Sequence, residues 1–237
     1  MELYFTEPTR IGISHAEFDP FESRHILKTM RKKEGERICF TDGQGRLYEG
    51  KIIASRPALR VSYQVKQQEV WPPPVQSVLG VASIRPARMD LLIEKATELG
   101  ITRFVLFASR FSNYQIKDSK RWEKITRQAI KQSNRLVLPE IQLVSGLKGF
   151  FAAVAGITLK ITAAQTADRR FTDLFAEEEN VKLKNIVVLI GPEGGFDHDE
   201  ENLAAANGFL PFNFGTYRLR TETAAISAAA FVNSLRS

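Results

Sequence analysis

After residue 75 the chain settles into a rhythm of short apolar runs, "SVLGVAS", "RFVLFAS", "ITLKITA", "IVVLIG" and "FLPFNF", separated by stretches with helical spacing. Runs this short, apolar at nearly every position, fit strands buried on both faces. Helices between such strands return the chain to the starting edge, so the pattern predicts an α/β domain with a mostly parallel, helix-covered sheet. The helix candidates are Met89 to Leu99, Lys120 to Arg135, Thr172 to Glu179, Glu200 to Asn207 and Glu222 to Leu235. In "MDLLIEKATELG", Leu92, Ala96 and Leu99 share a face and Gly100 can close the helix in a left-handed cap.

The rhythm begins at a seam. "VWPPPV", Val70 to Val75, carries three prolines, which neither donate to a strand ladder nor continue a helix. A boundary here divides the chain into residues 1–72 and 73–237. Before it, "RICFTDGQGRLYEGKII" alternates apolar and polar residues on both sides of "DGQG", a hairpin signal, and "RVSYQV" supplies another strand. The first part therefore reads as a small β-rich domain with one basic helical segment near residues 21 to 33. No internal repeat or low-complexity segment interrupts either part.

Thirty-three Lys and Arg against twenty-seven Asp and Glu give a formal charge of +6, an excess compatible with nucleic acid but not diagnostic of it. The clustering says more. "RHILKTMRKKEGER", Arg24 to Arg37, holds six basic side chains and a histidine against two glutamates, and Lys117 to Arg135 holds seven basic residues against two acids. On charge alone a solvated helix face is the better reading of each. No apolar run approaches the roughly 20 residues of a membrane span. The start, "MELYFTEPTR", lacks the order of a secretory signal, and the single Cys39 suits a reducing cytoplasm. His15, His25 and His198 are scattered, so no metal site is expected, and Cys39 has no visible histidine partner for nucleophilic catalysis.

Two segments could carry chemistry. In "NIVVLIGPEGGFDHDEEN", Gly191, Gly194 and Gly195 follow an apolar strand and let a ligand press against the main chain. The turn is neither the dinucleotide fingerprint nor the lysine-bearing phosphate loop. Asp197, Asp199, Glu200 and Glu201 place carboxylates where an anion would sit, and Asp197 with Glu200 reads as a capping box. A neutral or cationic ligand suits this turn better than a polyphosphate, and a ligand-free connection stays open as the alternative. In "FGTYRLRTETAAISAAAF", Arg218 and Arg220 precede a helix that Thr221 or Thr223 can cap, and five alanines between Ala224 and Ala230 permit close approach by neighbouring segments. A structural ion pair is the commoner explanation of any one of these arginines.

Taken together, "RMDLLIEKATELGI", "IGPEGGF" and "RLRTETAAISA" resemble the signature blocks of the bacterial 16S rRNA uridine-N3 methyltransferases, the ribosomal small-subunit methyltransferase E family of the SPOUT superfamily. "ESRHILKTMRKKEGERICFTDGQG" resembles that family's N-terminal domain and "RWEKITRQAIKQSNRLVLPEI" its middle. Each block is weak alone; their order and spacing are specific. The resemblance implies a PUA-like β-barrel domain followed by a SPOUT α/β methyltransferase domain with a deep trefoil knot, acting in the cytoplasm as a homodimer without membrane attachment. It implies S-adenosylmethionine as cofactor and a uridine in the decoding region of 16S rRNA, within the small ribosomal subunit, as substrate.

Carried across residue by residue, Leu189, Ile190, Gly191 and Gly195 match the loop that cups the cofactor. Phe214, Gly215 and Leu219 match a second cofactor loop, with Ala163 and Ala164 nearby. Arg220, Thr221, Glu222 and Thr223 match the arginine-threonine-glutamate-threonine run at the active site, Thr223 being counted with the cofactor contacts. This chain departs from the pattern at Phe214, where leucine is usual, in "TYR" at Thr216 to Arg218, and in "PARMD". Methylation at uracil N3 needs an imide proton removed and an anion held, so Arg220 is expected to stabilise the anion and Glu222 or Glu193 to take the proton, unless water does. RNA phosphates are expected on Arg24, His25, Arg31, Lys32 and Lys33 of the first domain and Arg135 of the second. The rival readings are methylation of another base or of a ribose 2′-oxygen, and a non-catalytic RNA-binding assembly factor. A small-molecule hydrolase lacks a nucleophile and base pair.

Overall fold

The computed structural model describes residues 2–177 and 185–235. It forms two compact units, one of Met1–Pro74 with Arg127–Leu138 and the other of Val75–Thr126 with Pro139–Ser237.

The first unit is built on a five-stranded sheet in the order β1-β3-β4-β5-β2. Strands β3 (Arg37–Thr41) and β4 (Arg46–Ala54) form the expected hairpin, β5 (Arg60–Gln68) continues it, and β2 (Ala16–Glu17) pairs antiparallel with β5. Strand β1 (Leu3–Phe5) runs parallel to β3. The hairpin turn closes because Asp42 accepts the Gln44 N–H at 2.8 Å while Gly43 and Gly45 take positive φ. This pairing leaves β1 and β2 as the two edges of the sheet. On its inner face Phe40 stacks on Tyr48 at 4.9 Å and meets Phe18 edge-on at 5.3 Å.

Helix α1 (Pro20–Arg24) starts where the Asp19 carboxylate accepts the N–H groups of Phe21 and Glu22. It widens into a π-helical turn, His25–Thr29, and stops at Arg31, whose φ of 57° lies in the left-handed region. Arg127–Leu138 joins this unit through main-chain bonds, Gly45 N–H to Leu136 O at 2.9 Å and Leu138 N–H to Gly43 O at 2.8 Å, and through the buried pair Lys131–Glu22 at 2.8 Å. Arg135, expected on the second domain, is therefore part of the first unit.

In the second unit a six-stranded, wholly parallel sheet runs β11-β9-β10-β6-β7-β8. The five expected strands are β6 (Ser77–Ala82), β7 (Arg103–Phe107), β9 (Leu159–Ala163), β10 (Ile186–Ile190) and β11 (Leu210–Phe212). An edge strand, β8 (Glu140–Leu143), and the helix α4 (Gly146–Ala153) are additional. Strand β10 is apolar throughout because both its faces are covered. Ile186, Val188 and Ile190 join a cluster with Met89 and Leu92, while Val187 and Leu189 face Phe150 and Phe209. Each such side chain contributes about 1.5–3 kcal/mol by burial. Gly80 lets the sheet take Phe150, since a Cβ there would lie 2.1 Å from the ring.

The helices α2 (Pro86–Glu98), α3 (Lys120–Ser133), α5 (His198–Ala206) and α6 (Thr221–Ser234) match expected segments. The expected helix at Thr172 to Glu179 is instead a 3₁₀ segment, Phe171–Glu177, and positions 178 and 179 lie outside the described residues. Helix α6 packs on α2, β6 and β10 through Ala225, Ala228 and Ala229, which are fully buried. No helix among the described residues is long and apolar enough to cross a membrane.

Candidate active site

Strands β11, β9 and β10 are adjacent and parallel, so the loops that follow them emerge at one edge of the sheet, where ligands gather in open α/β folds. These loops begin at Ala164, Gly191 and Asn213, and with α2 and the start of α6 they enclose a cavity of about 520 Å³, within the usual range of small-molecule pockets.

Local hydrogen bonds fix each loop. Ala164 donates its N–H to Phe212 O at 3.0 Å. Asn213 donates from Nδ2 to Gln165 O and accepts the Gly215 N–H, both at 2.8 Å, so one side chain fastens two loops. In "GPEGG" the Gly195 N–H closes a turn onto Pro192 O at 3.0 Å, and Gly195 takes φ +77°. Gly195 and Gly215 both line the cavity, and a Cβ added at either would meet no protein atom within 4 Å. Main chain is thus open to a ligand at two points on the wall.

Of the acids after the glycines, Asp197 and Glu200 are committed to structure, while Glu201 is exposed and lines the cavity. Asp197 caps α5, with Glu200 reciprocating in a full capping box. Arg110 reinforces it, pairing with Asp197 at 2.8 Å and donating its N–H to Glu200 at 3.0 Å. The Glu200 N–H, and then Arg110, hold the Asp197 carboxyl below its ordinary pKa.

Two other acids behave differently. Arg88 on α2 lies 3.3 Å from Glu193 in the glycine loop and 3.6 Å from Glu222 in the first turn of α6. Each carboxylate keeps a buried oxygen, Oε2, with no hydrogen-bond partner. Arg218 donates to Glu193 O at 3.4 Å. Arg220 is exposed where it lines the cavity, and among the described residues its guanidinium makes no hydrogen bond or ion pair.

Of the residues singled out in the sequence, Ala163, Ala164, Ile190, Gly191, Glu193, Gly195, Phe214, Gly215, Leu219, Arg220 and Thr221 line this one cavity. Leu189 is buried in β10 on the face toward α4, and neither it nor Glu222 or Thr223 is in the lining. Phe214 stacks on Phe171 at 4.6 Å. Neither threonine caps α6: its N-cap is Arg220, without a side-chain cap bond, because the helix already begins at the buried Thr221. Arg88, Arg110 and Asn213 were not anticipated, and nothing local in sequence points to partners 105 and 87 residues away from the first two.

The expected RNA contacts all fall in the first unit. Arg24, Arg31 and Lys33 are exposed. His25 meets the Tyr4 ring edge-on at 6.2 Å, and Lys32 pairs with Glu2 at 3.4 Å. Arg135 is half-buried, and burial pushes its pKa down to about 10 against the opposing effect of Glu69.

Residues 72–233 match the family model of the RNA methyltransferase domain, and residues 20–61 that of the RNA methyltransferase PUA domain. The chain belongs to the RNA methyltransferase family. Ribosomal RNA small subunit methyltransferase E of Rickettsia conorii is 29% identical over 90% of this chain and 87% of its own length. The protein of the same name from Bacillus subtilis is 25% identical over 98% and 96%. Among solved structures, a Legionella pneumophila protein in complex with S-adenosylmethionine superposes with a TM-score of 0.85 at 24% identity, covering 98% of this chain and 97% of that one. The Neisseria gonorrhoeae small subunit methyltransferase E, bound to S-adenosylmethionine, gives 0.79 at 23%, covering 99% and 98%. At these identities the structural matches establish the fold of this RNA methyltransferase.

Proposed function

We propose that this RNA methyltransferase uses S-adenosylmethionine to methylate N3 of a uridine in the decoding region of 16S rRNA, in the cytoplasm, on the small ribosomal subunit and as a homodimer. The deep trefoil knot belongs to the same reading, while the expected PUA-like β-barrel is represented by an open five-stranded sheet, because β1 and β2 do not pair. The observation that carries it is the cavity at the ends of β9, β10 and β11, where the relatives' shared activity and this chain's own chemistry agree.

The residues present fit the cofactor. Gly195 and Gly215 expose main chain to the cavity, and the Glu193 carboxylate in its wall suits a cationic group while repelling polyphosphate. Ala163, Ala164, Ile190, Gly191, Phe214 and Leu219 would hold it, with Thr221 at the helix start. Bound S-adenosylmethionine supplies an electrophilic methyl group on a sulfonium.

The chain supplies the rest. Arg220 is the cation at the cavity free to approach the uracil oxygens, where negative charge grows as the imide proton leaves. Glu193 or Glu222 accepts that proton, each held in place through its other oxygen by Arg88. The apolar part of the wall, Ala163, Ala164, Ile190, Phe214 and Leu219, favours neutralisation of opposite charges over separated ions. Incubating the protein with labelled cofactor and small subunits lacking the modification, then mapping the methyl group, tests the assignment. Label on uridine N3 supports it; label on a ribose 2′-oxygen or another base replaces the substrate atom, and no transfer overturns the reading.

A further inference from the structure

Helix α1 and the π-helical turn after it carry a face that the first unit leaves uncovered. Glu22 and Ile26 point inward and are buried. Phe21, Arg24 and Lys28, three and four residues apart, are exposed, and Arg31 follows at the end of the segment. Phe21 leaves 72% of its surface to water, although an aromatic ring is among the more favourable groups to bury.

The acids of this region are already bonded within the unit, two of them to cations. Glu22 is consumed by Lys131, Glu2 by Lys32, Asp19 by the helix cap, and Glu34 by Ser55. Glu36 accepts the Lys33 main-chain N–H. Among the described residues Arg24, Lys28 and Arg31 make no ion pair and no side-chain hydrogen bond. The neighbouring acids are thus bonded within the unit, while the three exposed cations of this segment are not. Arg31 sits at φ 57°, a left-handed conformation that glycine adopts with less strain.

We propose that this face grips a single-stranded stretch of the RNA substrate, with an unpaired base stacked on Phe21 and phosphates on Arg24, Lys28 and Arg31. An aromatic ring flanked by cations is the composition that single strands recognise, since every unpaired base offers a π-face and the backbone offers charge. The proposal rests on the chain being an RNA methyltransferase and adds Phe21 and Lys28 to its substrate contacts.

The test measures binding of the full chain, across a range of salt, to a labelled single-stranded RNA oligonucleotide and to a closed RNA duplex. Phe21→Ala should lower single-strand affinity about tenfold with an unchanged salt slope, Phe21→Trp should keep it, and duplex affinity should not respond to either change. Arg31→Gly should melt at the wild-type temperature or above, yet bind more weakly, with a salt slope shallower by about 0.7. Equal single-strand affinity in Phe21→Ala overturns the stacking, as does an equal loss on the duplex. A lowered melting temperature with unchanged affinity in Arg31→Gly makes that residue structural and removes it from the site. If the wild type binds cofactor but neither RNA, the substrate reading itself fails.

Discussion

The two basic runs look alike in sequence and serve different ends in the structure. In the run from Lys117 to Arg135, Arg121 is bound to Asp90, Arg127 to Glu7 at 2.6 Å and Lys131 to Glu22 at 2.8 Å, Arg135 is half-buried, and only the three lysines Lys117, Lys120 and Lys124 stay exposed without an acid among the described residues. In the run from Arg24 to Arg37, among the described residues, only Lys32 has a carboxylate partner, and the other basic side chains remain exposed. A charge matched within the fold holds the fold; an unmatched one is available to something outside it. Composition cannot tell the two apart, because the deciding acids lie far away in sequence, as Glu22 does from Lys131.

That contrast can be broken by substitution. Lys131→Ala leaves Glu22 buried without its cation, and about 3–5 kcal/mol of stability should be lost. Chemical denaturation checks this, and a loss below 1 kcal/mol would place Lys131 with the dispensable charges. Arg220→Ala removes an unmatched cation from the cavity and should lower turnover by about 10²-fold or more, with cofactor affinity by calorimetry unchanged and the melting temperature held. Arg24→Glu with Lys28→Glu should flatten the salt dependence of single-strand binding by about 1.4 in slope, two phosphates' worth, without moving the melting temperature. If this pair instead destabilised the protein, the two runs would not differ as described.

The smallest effect concerns the matched charge at α5. The folded pKa of Asp197 lies below its ordinary value of 3.8, so its contribution to stability is complete above that pH and disappears as pH falls through the lowered value. Unfolding midpoints of wild type and Asp197→Asn, measured downward from pH 6, should converge in this acid range. A constant gap down to pH 2 would assign the contribution to hydrogen bonding alone.

Features set by neighbours in sequence were legible before the structure. The Asp197 capping box, the "DGQG" hairpin and the left-handed Gly100 depend on contacts within four residues, and each is present. Strand β10 was readable because both its faces are buried, leaving no polar position to obscure the run. Strand β8 was not: none of its four residues is buried and it lies at the sheet edge. Helix α4, "GLKGFFAA", carries two glycines that weaken its local propensity, and packing of Phe150 and Phe151 overrides them. In the site, the loops were visible through glycine and the resemblance. Arg88 was not, since its role exists only once α2, the glycine loop and the start of α6 are brought together.

The convergence of three loops at one sheet edge has a consequence for biosynthesis. Strand β11 takes its place beside β9, two positions from β10, so the last wall of the cavity is laid down only after the chain has been made past Ala224. Translation must therefore be nearly through this region before a methyl donor can be captured, and the nascent polypeptide emerges from its ribosome inert.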